Sequence, residues 1–168
     1  MKKQLIILVS FLFIQLSFSQ SSKLYHTMLK GMYKNTVEQI SPQDLKAKLD
    51  ASETITILDT RKIKEYNTSH IAGARFVDYD TFSVDKVTDL GKNELVVVYC
   101  SVGYRSERVG EKLRKAGFKN VLNLYGGIFE WVNLGYDVID NKTDKTSKVH
   151  AYDKEWGKWL KKGDKVYE

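Results

Sequence analysis

A run of five apolar residues, Leu95–Tyr99 (LVVVY), constrains the fold of this chain more than any other feature. A strand without a polar position must be covered on both faces, as the central strands of parallel sheets are. The segment that follows, Arg105–Ala116, places Val109 and Leu113 on one helical face, and Gly117 is typical of a helix end. The run therefore predicts a buried parallel strand that leads through a short loop into a helix.

The same alternation of apolar strands and helical segments extends along most of the chain. Ser41, Pro42 and Asp44 are typical of a helix start, because they supply a cap, a fixed φ and a charge that suits the helix dipole. The predicted strands are 36–40, 54–58, 75–77, 95–99 and 121–124; the predicted helices are 41–50, 62–66, 105–116 and 128–134, with 81–90 ambiguous. Strands that alternate with helices predict an α/β fold, a parallel β-sheet of about five strands flanked by helices on both faces.

The N-terminus has the pattern of an export signal. Two lysines precede an apolar run, Leu5–Phe18, which is too short to span a bilayer comfortably, since spanning takes about 20 residues. Ser17 and Ser19 place small residues at −3 and −1 and predict cleavage after Ser19. We expect residues 1–19 to be a signal peptide and the mature protein to be periplasmic or secreted, without stable membrane insertion. An uncleaved anchor or a buried helix is the alternative.

Charge and cysteine usage exclude several classes of partner and site. The net charge is +6, but many of the lysines lie in residues 142–168, where eight lysines are interspersed with five acids. This pattern lacks the continuous basic face of a nucleic-acid-binding domain, so no nucleic acid partner is expected. Cys100 is the single cysteine, which excludes an internal disulfide and a multi-cysteine zinc site. The three histidines, at 26, 70 and 150, have no metal-ligand spacing.

Two terminal segments flank the predicted domain. Residues 20–35 suit a short helix and form an N-terminal helical extension, whereas residues 141–168 form a tail rich in lysine and tryptophan. Four apolar residues of the tail recur at i, i+4, i+7 and i+8 and describe one helical stripe: Tyr152, Trp156, Trp159 and Leu160. This spacing predicts a helix docked on the domain. A helix that binds a partner or a membrane surface is the alternative.

Cys100 and the residues after it carry the chemistry. Cys100 directly follows the apolar strand, at the carboxyl end where α/β sheets place ligands. The free N–H groups and the dipole of the next helix favour an anion there, which is the Cys100 thiolate, a persulfide or a bound oxyanion. Gly103 permits a backbone that turns several N–H groups toward one centre, and Arg105 offers a positive fork to an anionic substrate. A buried, inert cysteine is the alternative, but the combination predicts a functional Cys100.

Three separated blocks resemble the rhodanese (thiosulfate sulfurtransferase) domains. They are LDTR at 58–61 with EY at 65–66 and HIAGA at 70–74, CSVGYRS at 100–106, and LYGGI at 124–128 with Trp131 and Gly135. The resemblance spans about residues 36–140. In one departure, Ser69 stands before His70 where the family usually has glycine, which predicts a strained or reshaped turn and leaves the catalytic loop intact.

The resemblance implies a sulfurtransferase with a covalent intermediate. Cys100 would take the outer sulfur of an anionic donor such as thiosulfate and pass it from a persulfide to cyanide, a thiol or a protein sulfur acceptor. No metal or organic cofactor is implied. The loop residues implied to bind substrate are Ser101, Val102, Gly103, Tyr104, Arg105 and Ser106, with Arg105 orienting the donor and Tyr104 forming a pocket wall.

The remaining residues of the resemblance have supporting roles. Asp59 and Arg61 are expected to support the site, and Glu65 to pair with a local base. The tryptophans at 156 and 159, together with Tyr104, are expected to shape access to Cys100.

Two other functions remain open from the sequence. Cysteine-dependent phosphatases and arsenate reductases have loops that resemble Cys-x5-Arg, whereas four residues separate Cys100 from Arg105 here. The shorter loop forms a tighter cradle, better suited to one sulfur than to a tetrahedral oxyanion. The other alternative is a non-catalytic binding module of the same fold, since fold does not fix function.

Overall fold

The computed structural model of the chain describes residues 23–167. The predicted signal peptide, residues 1–19, lies outside the described residues. The described residues belong to two compact units, 23–32 and 33–167. The described part of the first unit is one helix, α1, at 23–32, where the sequence predicts a short helix.

A five-stranded parallel sheet forms the centre of the second unit. Its strands are β1 (Glu38–Ile40), β2 (Thr56–Asp59), β3 (Arg75–Phe76), β4 (Leu95–Tyr99) and β5 (Asn120–Leu124). The spatial order is β1-β5-β4-β2-β3, and all neighbours run parallel. The apolar run β4 is therefore the middle strand, with Val97 in register with Ile57 and Leu122. The parallel α/β fold is confirmed.

Four helices connect or follow these strands: α2 (Pro42–Asp50), α3 (Ile63–Thr68), α4 (Tyr104–Lys115) and α5 (Gly127–Asn133). The predicted start of α2 is confirmed, because Ser41 caps it and its hydroxyl accepts the Asp44 N–H at 3.0 Å. The ambiguous stretch 81–90 contains a single 3₁₀ turn, Val84–Val87.

Both faces of the sheet are covered. Val96 and Val98 pack on one side with Val109 and Leu113 of α4. Val97 is also fully buried, and alternation along a strand points it to the opposite face. An apolar strand of this kind is stabilised only when neither face meets water, which is why β4 occupies the central position.

The C-terminal tail is not the helix that the stripe predicts. It forms β7 (Lys145–Thr146), β8 (Lys148–His150), one helical turn, α6 (Lys154–Gly157), and β9 (Asp164–Val166). β7 pairs antiparallel with β6 (Val138–Ile139), and β8 pairs parallel with β9.

The helical stripe fails at its first residue. Tyr152 has φ +67°, which no helical residue adopts. Tyr152 is 43% exposed whereas Leu160 is fully buried, so the spacing does not correspond to one packed face. Within residues 23–167, no helix is long and apolar enough to cross a membrane.

Candidate active site

Cys100 lies at the carboxyl edge of the central strand. It follows Tyr99, the last residue of β4, and the short loop 101–103 connects it to α4. Its side chain is almost closed off from solvent, with 1% of the residue exposed, and the loop residues Ser101 and Val102 are buried beside it. The structure therefore places the cysteine where the sequence predicts it, at the bottom of a tight loop.

Gly103 turns the loop onto the sulfur. Its N–H donates to the Sγ of Cys100 at 3.1 Å, and its φ of +96° lies in the left-handed region that favours glycine. A side chain here would also collide with the phenol of Tyr33. Two independent constraints thus require glycine at this position.

The first turn of α4 follows Gly103 directly and has free N–H groups. Gly103 is the residue that caps the helix, and the N–H groups of Tyr104, Arg105 and Ser106 have no acceptor within it. The N–H of Glu107 closes the turn on the Gly103 carbonyl at 3.2 Å. Together with the dipole of this 12-residue helix, these groups favour negative charge next to Cys100.

The loop carbonyls, by contrast, are held by the next helix. The N–H of Ile128 donates to the Cys100 carbonyl at 2.9 Å, and that of Phe129 to the Ser101 carbonyl at 3.1 Å. Gly127 permits this close approach, because a side chain there would collide with both carbonyl groups. The α5 N-terminus therefore fixes the loop by satisfying two of its carbonyl acceptors.

Tyr33 clamps the other side of the loop. Its hydroxyl donates to the Val102 carbonyl at 2.5 Å and accepts the Gly126 N–H at 2.9 Å. Burial raises the pKa of Tyr33 above its usual range; the Gly126 bond lowers it by less, and the charge of Cys100 raises it further. The phenol thus stays neutral and keeps its proton for Val102. The sequence did not mark Tyr33, which lies 69 residues before its partner Val102.

Arg105 does not present the free positive fork that the sequence predicts. Its Nη1 donates to Glu65 Oε2 at 2.8 Å, and its Nη2 donates to Glu65 Oε1 at 2.7 Å. Nη2 also donates to the Ser101 hydroxyl at 3.0 Å, and that hydroxyl donates to Glu65 Oε1 at 2.8 Å. Both terminal nitrogens are engaged, so the structure gives Arg105 the task of holding the loop against α3.

This pair is buried and strongly coupled. Burial alone raises the pKa of Glu65, but the hydrogen bond and charge of Arg105, with the charge of Arg61, lower it to about 2. Burial alone lowers the pKa of Arg105, but the Glu65 hydrogen bond and the charge of Cys100 raise it above its usual value. Both groups therefore stay ionised. The sequence predicts that Glu65 pairs with a base close to it in the chain. Its partner is Arg105 instead, which lies 40 residues later in the sequence.

Ser106 is placed away from the pocket. It is fully buried, and its hydroxyl donates to Asn123 Oδ1 at 2.7 Å, while Asn123 Nδ2 donates to the Gly103 carbonyl at 3.0 Å. Its side chain ties the loop to β5, and only its backbone N–H belongs to the donor set. Asn123 is a polar residue within a strand otherwise rich in apolar residues, and that pattern could have marked it as a loop support.

Tyr104 lies at the surface of the loop. The residue is 43% exposed, and the Arg108 guanidinium lies 5.1 Å from the centre of its ring. A second exposed tyrosine, Tyr152 of the C-terminal segment, lies over Arg105 at 5.7 Å. The tail therefore contacts the first turn of α4 through Tyr152, a residue that the sequence did not connect with access to Cys100.

Asp59 and Arg61 form a buried pair behind the site. The Asp59 carboxylate accepts the N–H of Arg61 at 2.9 Å, its Nη2 at 2.7 Å and the Tyr99 hydroxyl at 2.6 Å. Arg61 is fully buried and also donates to the Ser69 carbonyl at 2.5 Å. Burial alone lowers the pKa of Arg61, but the charge of Asp59 raises it above its usual value. The pair connects β2, β4 and the segment after α3.

The turn at Ser69 is not strained. Its φ of −172° is extended backbone that any residue adopts, so the absent glycine causes no backbone strain here. Within the described residues, the Ser69 hydroxyl and Arg61 Nη1 are buried without a hydrogen-bond partner.

No group of three His, Cys, Asp or Glu side chains in residues 23–167 could hold a metal ion.

Comparison with known proteins agrees with this architecture. The family model of the rhodanese-like domain matches residues 41–134. Among curated proteins, the chain is 35% identical over 98 residues to "Putative sulfur carrier protein YrkF" of Bacillus subtilis (strain 168), covering 58% of this chain and 52% of that protein. It is 36% identical over 107 residues to the tRNA uridine(34) hydroxylase of Oceanobacillus iheyensis, covering 61% of this chain and 32% of that protein.

One solved structure is similar to this chain in both sequence and fold. The rhodanese-like domain of the Anabaena sp Alr3790 protein, solved by NMR, is 32% identical with a TM-score of 0.56. The match covers 61% of this chain and 78% of that domain.

The chain spans about half, or less, of the length of the two curated relatives above.

Proposed function

The chain belongs to the rhodanese-like domain family, and on this basis we propose that it is a sulfurtransferase that carries a sulfane sulfur on Cys100. The observation that carries the proposal is the donor set around one thiol, in which the Gly103 N–H reaches Sγ at 3.1 Å and the first turn of α4 follows it. Such a cradle stabilises a single negatively charged sulfur without a metal or a separate base.

The proposed first step loads the cysteine. The Cys100 thiolate attacks the outer sulfur of thiosulfate or a similar sulfane donor, the S–S bond of the donor breaks, and sulfite leaves with the bonding electron pair. The new S–S bond is about 2.05 Å long, so the outer sulfur of the persulfide extends toward the open side of the loop. The N–H groups of Tyr104, Arg105 and Ser106 support its negative charge.

The proposed second step unloads it. A thiophile, which is cyanide, a thiol or a protein sulfur acceptor, attacks the outer sulfur and regenerates the Cys100 thiolate. The name of the sulfur carrier relative supports a protein among the donors or acceptors. We also propose that the protein acts outside the cytoplasm, on the pattern of residues 1–19; N-terminal sequencing of the exported form tests this, and an intact Met1 would contradict cleavage.

Arg105 gives little support to an oxyanion-binding function. Both of its terminal nitrogens are bound to Glu65 and Ser101, so it offers no free fork to a phosphate or arsenate group. The near-complete burial of Cys100 does favour one other candidate, a non-catalytic binding module with an inert thiol.

Intact-mass measurement separates these functions. We expect wild-type protein treated with thiosulfate to gain the mass of one sulfur atom, which a reductant removes, and the Cys100→Ala variant to gain nothing. Absence of a gain with thiosulfate and with a persulfide donor would contradict the sulfurtransferase and favour the binding module. Hydrolysis of an aryl phosphate that Cys100→Ser abolishes would favour the phosphatase instead.

A further inference from the structure

Tyr152 lies outside the part of the chain that matches the family, yet its ring contacts the site. The segment that carries it begins with β8, which packs on α3, the helix that holds Glu65. The ring lies over the Arg105 guanidinium at 5.7 Å. The C-terminal segment therefore supplies a side chain to the loop that holds Cys100.

The backbone of Tyr152 is strained to hold this position. Its φ of +67° lies in the left-handed region, which is rare and unfavourable for a bulky residue. The strain is imposed from both sides, since the Ala151 N–H donates to the Val166 carbonyl at 2.8 Å and the Asp153 carboxylate caps α6. The N–H of Tyr152 itself donates to His150 Nδ1 at 3.1 Å.

Core packing does not explain that cost. Tyr152 is 43% exposed and is not a core residue, and glycine, asparagine or aspartate adopts this φ more readily. Strain that the surrounding structure maintains, at a side chain next to a reactive group, indicates a functional constraint.

Tyr152 lies beside a residue that is close to the sulfur. Cys100 is 1% exposed, so a reagent reaches the persulfide only at its outer sulfur, about 2 Å beyond Sγ. Arg105 is hydrogen-bonded to Ser101, the residue after Cys100, and the charge of Cys100 raises the pKa of Arg105. The partly exposed ring of Tyr152 therefore places a bulky side chain on one side of this group of residues.

We propose that Tyr152 is a specificity-determining residue that admits small acceptors to Cys100 and hinders bulky thiols. This inference rests on the proposed function and deepens it. With cyanide, the outer sulfur leaves as thiocyanate and Cys100 is released as thiolate; with a thiolate, the same bond breaks and the acceptor leaves as a persulfide. Both reactions balance without an oxidant or reductant, and because the intrinsic reactivity of each acceptor is the same in every variant, the change in their rate ratio between variants reports access.

The test compares Tyr152→Gly with Tyr152→Phe. Glycine removes the ring and suits φ +67°, so its unfolding midpoint should equal or exceed that of the wild type. Phenylalanine keeps the ring and is the matched control. We expect kcat/KM for glutathione relative to that for cyanide to rise about tenfold in Tyr152→Gly and to stay within about twofold in Tyr152→Phe. A ratio unchanged in Tyr152→Gly would overturn the proposal, as would an equal loss with both acceptors.

A second measurement does not depend on sulfur transfer. The rate of alkylation of the Cys100 thiol is measured with iodoacetamide, a small reagent, and with a pyrene maleimide, a bulky one. We expect the ratio of the pyrene maleimide rate to the iodoacetamide rate to be at least fivefold higher in Tyr152→Gly than in the wild type. If no variant forms a persulfide, the sulfurtransferase proposal fails, and the alkylation ratio still decides the role of Tyr152. Equal acceleration of both reagents, or no reaction with either in any variant, would overturn that role.

Discussion

Replacing Glu65 by glutamine tests how the site is held together. The Glu65 side chain is 2% exposed and carries the negative charge that compensates Arg105, whose side chain is 17% exposed. Glutamine keeps the shape and one acceptor but removes this charge. It leaves the buried Arg105 guanidinium without its ion pair, and removal of one partner from a buried pair is costly.

The expected size follows from the pKa of Glu65. Burial raises that pKa, but the hydrogen bond and charge of Arg105 lower it from 4.5 to about 2 in the folded protein. A carboxyl with a depressed folded pKa contributes stability above its unfolded pKa, and this contribution is lost as pH falls toward the folded value. The shift corresponds to about 3 kcal/mol at neutral pH, of which about 2 kcal/mol is lost by pH 3.

Urea unfolding of the wild type and Glu65→Gln at pH 7 and pH 3 measures this contribution. We expect Glu65→Gln to be less stable by about 3 kcal/mol at pH 7 and by only about 1 kcal/mol at pH 3. Asp50→Asn, which breaks the exposed pair with Lys46, is the matched control and should cost under about 1 kcal/mol at pH 7. A Glu65→Gln deficit of the same size at both pH values would refute the reasoning.

Two substitutions at the site, Gly103→Ala and Ser106→Ala, test the loop, and Gly117→Ala is the control for the first. In urea unfolding, Gly117→Ala should lower the free energy of unfolding by about 1 kcal/mol, because φ is +92° but no atom lies near the added methyl group. Gly103→Ala should lower it by about 2–4 kcal/mol, because its methyl group also collides with Tyr33. Equal losses in the two variants would show that the collision is relieved. Ser106→Ala should lower the free energy of unfolding by about 1–3 kcal/mol, since it leaves the buried Asn123 oxygen without its donor. The KM for thiosulfate should stay unchanged in that variant, and a raised KM without lost stability would return Ser106 to substrate binding.

The order and type of the elements in the sheet could be predicted from the sequence, because their signals are local. The boundaries of β4 coincide with the apolar run Leu95–Tyr99, and the Ser41–Pro42 start of α2 agrees with its observed cap. The position of Cys100 at the end of β4 follows from these elements, since a strand and the helix after it fix the loop between them.

The tail shows where a local signal misleads. The spacing of apolar residues at 152–160 is helical, but β8 and β9 satisfy their backbone groups by pairing with each other, and only one turn of helix remains between them. A periodic pattern predicts a helix only when no other part of the chain offers better partners.

The loop residues that follow Cys100 could be identified from the sequence, whereas their roles depend on contacts that form only in the folded chain. In the sequence, Arg105 has the pattern of a substrate-binding cation, but in the structure α3 places Glu65 against it. No neighbouring residue in the sequence connects Tyr33 or Tyr152 with the site. The physical reason is sequence separation. Caps, turns and strand alternation depend on neighbours a few residues apart, but the pairing of a charge depends on contacts formed only when distant segments pack.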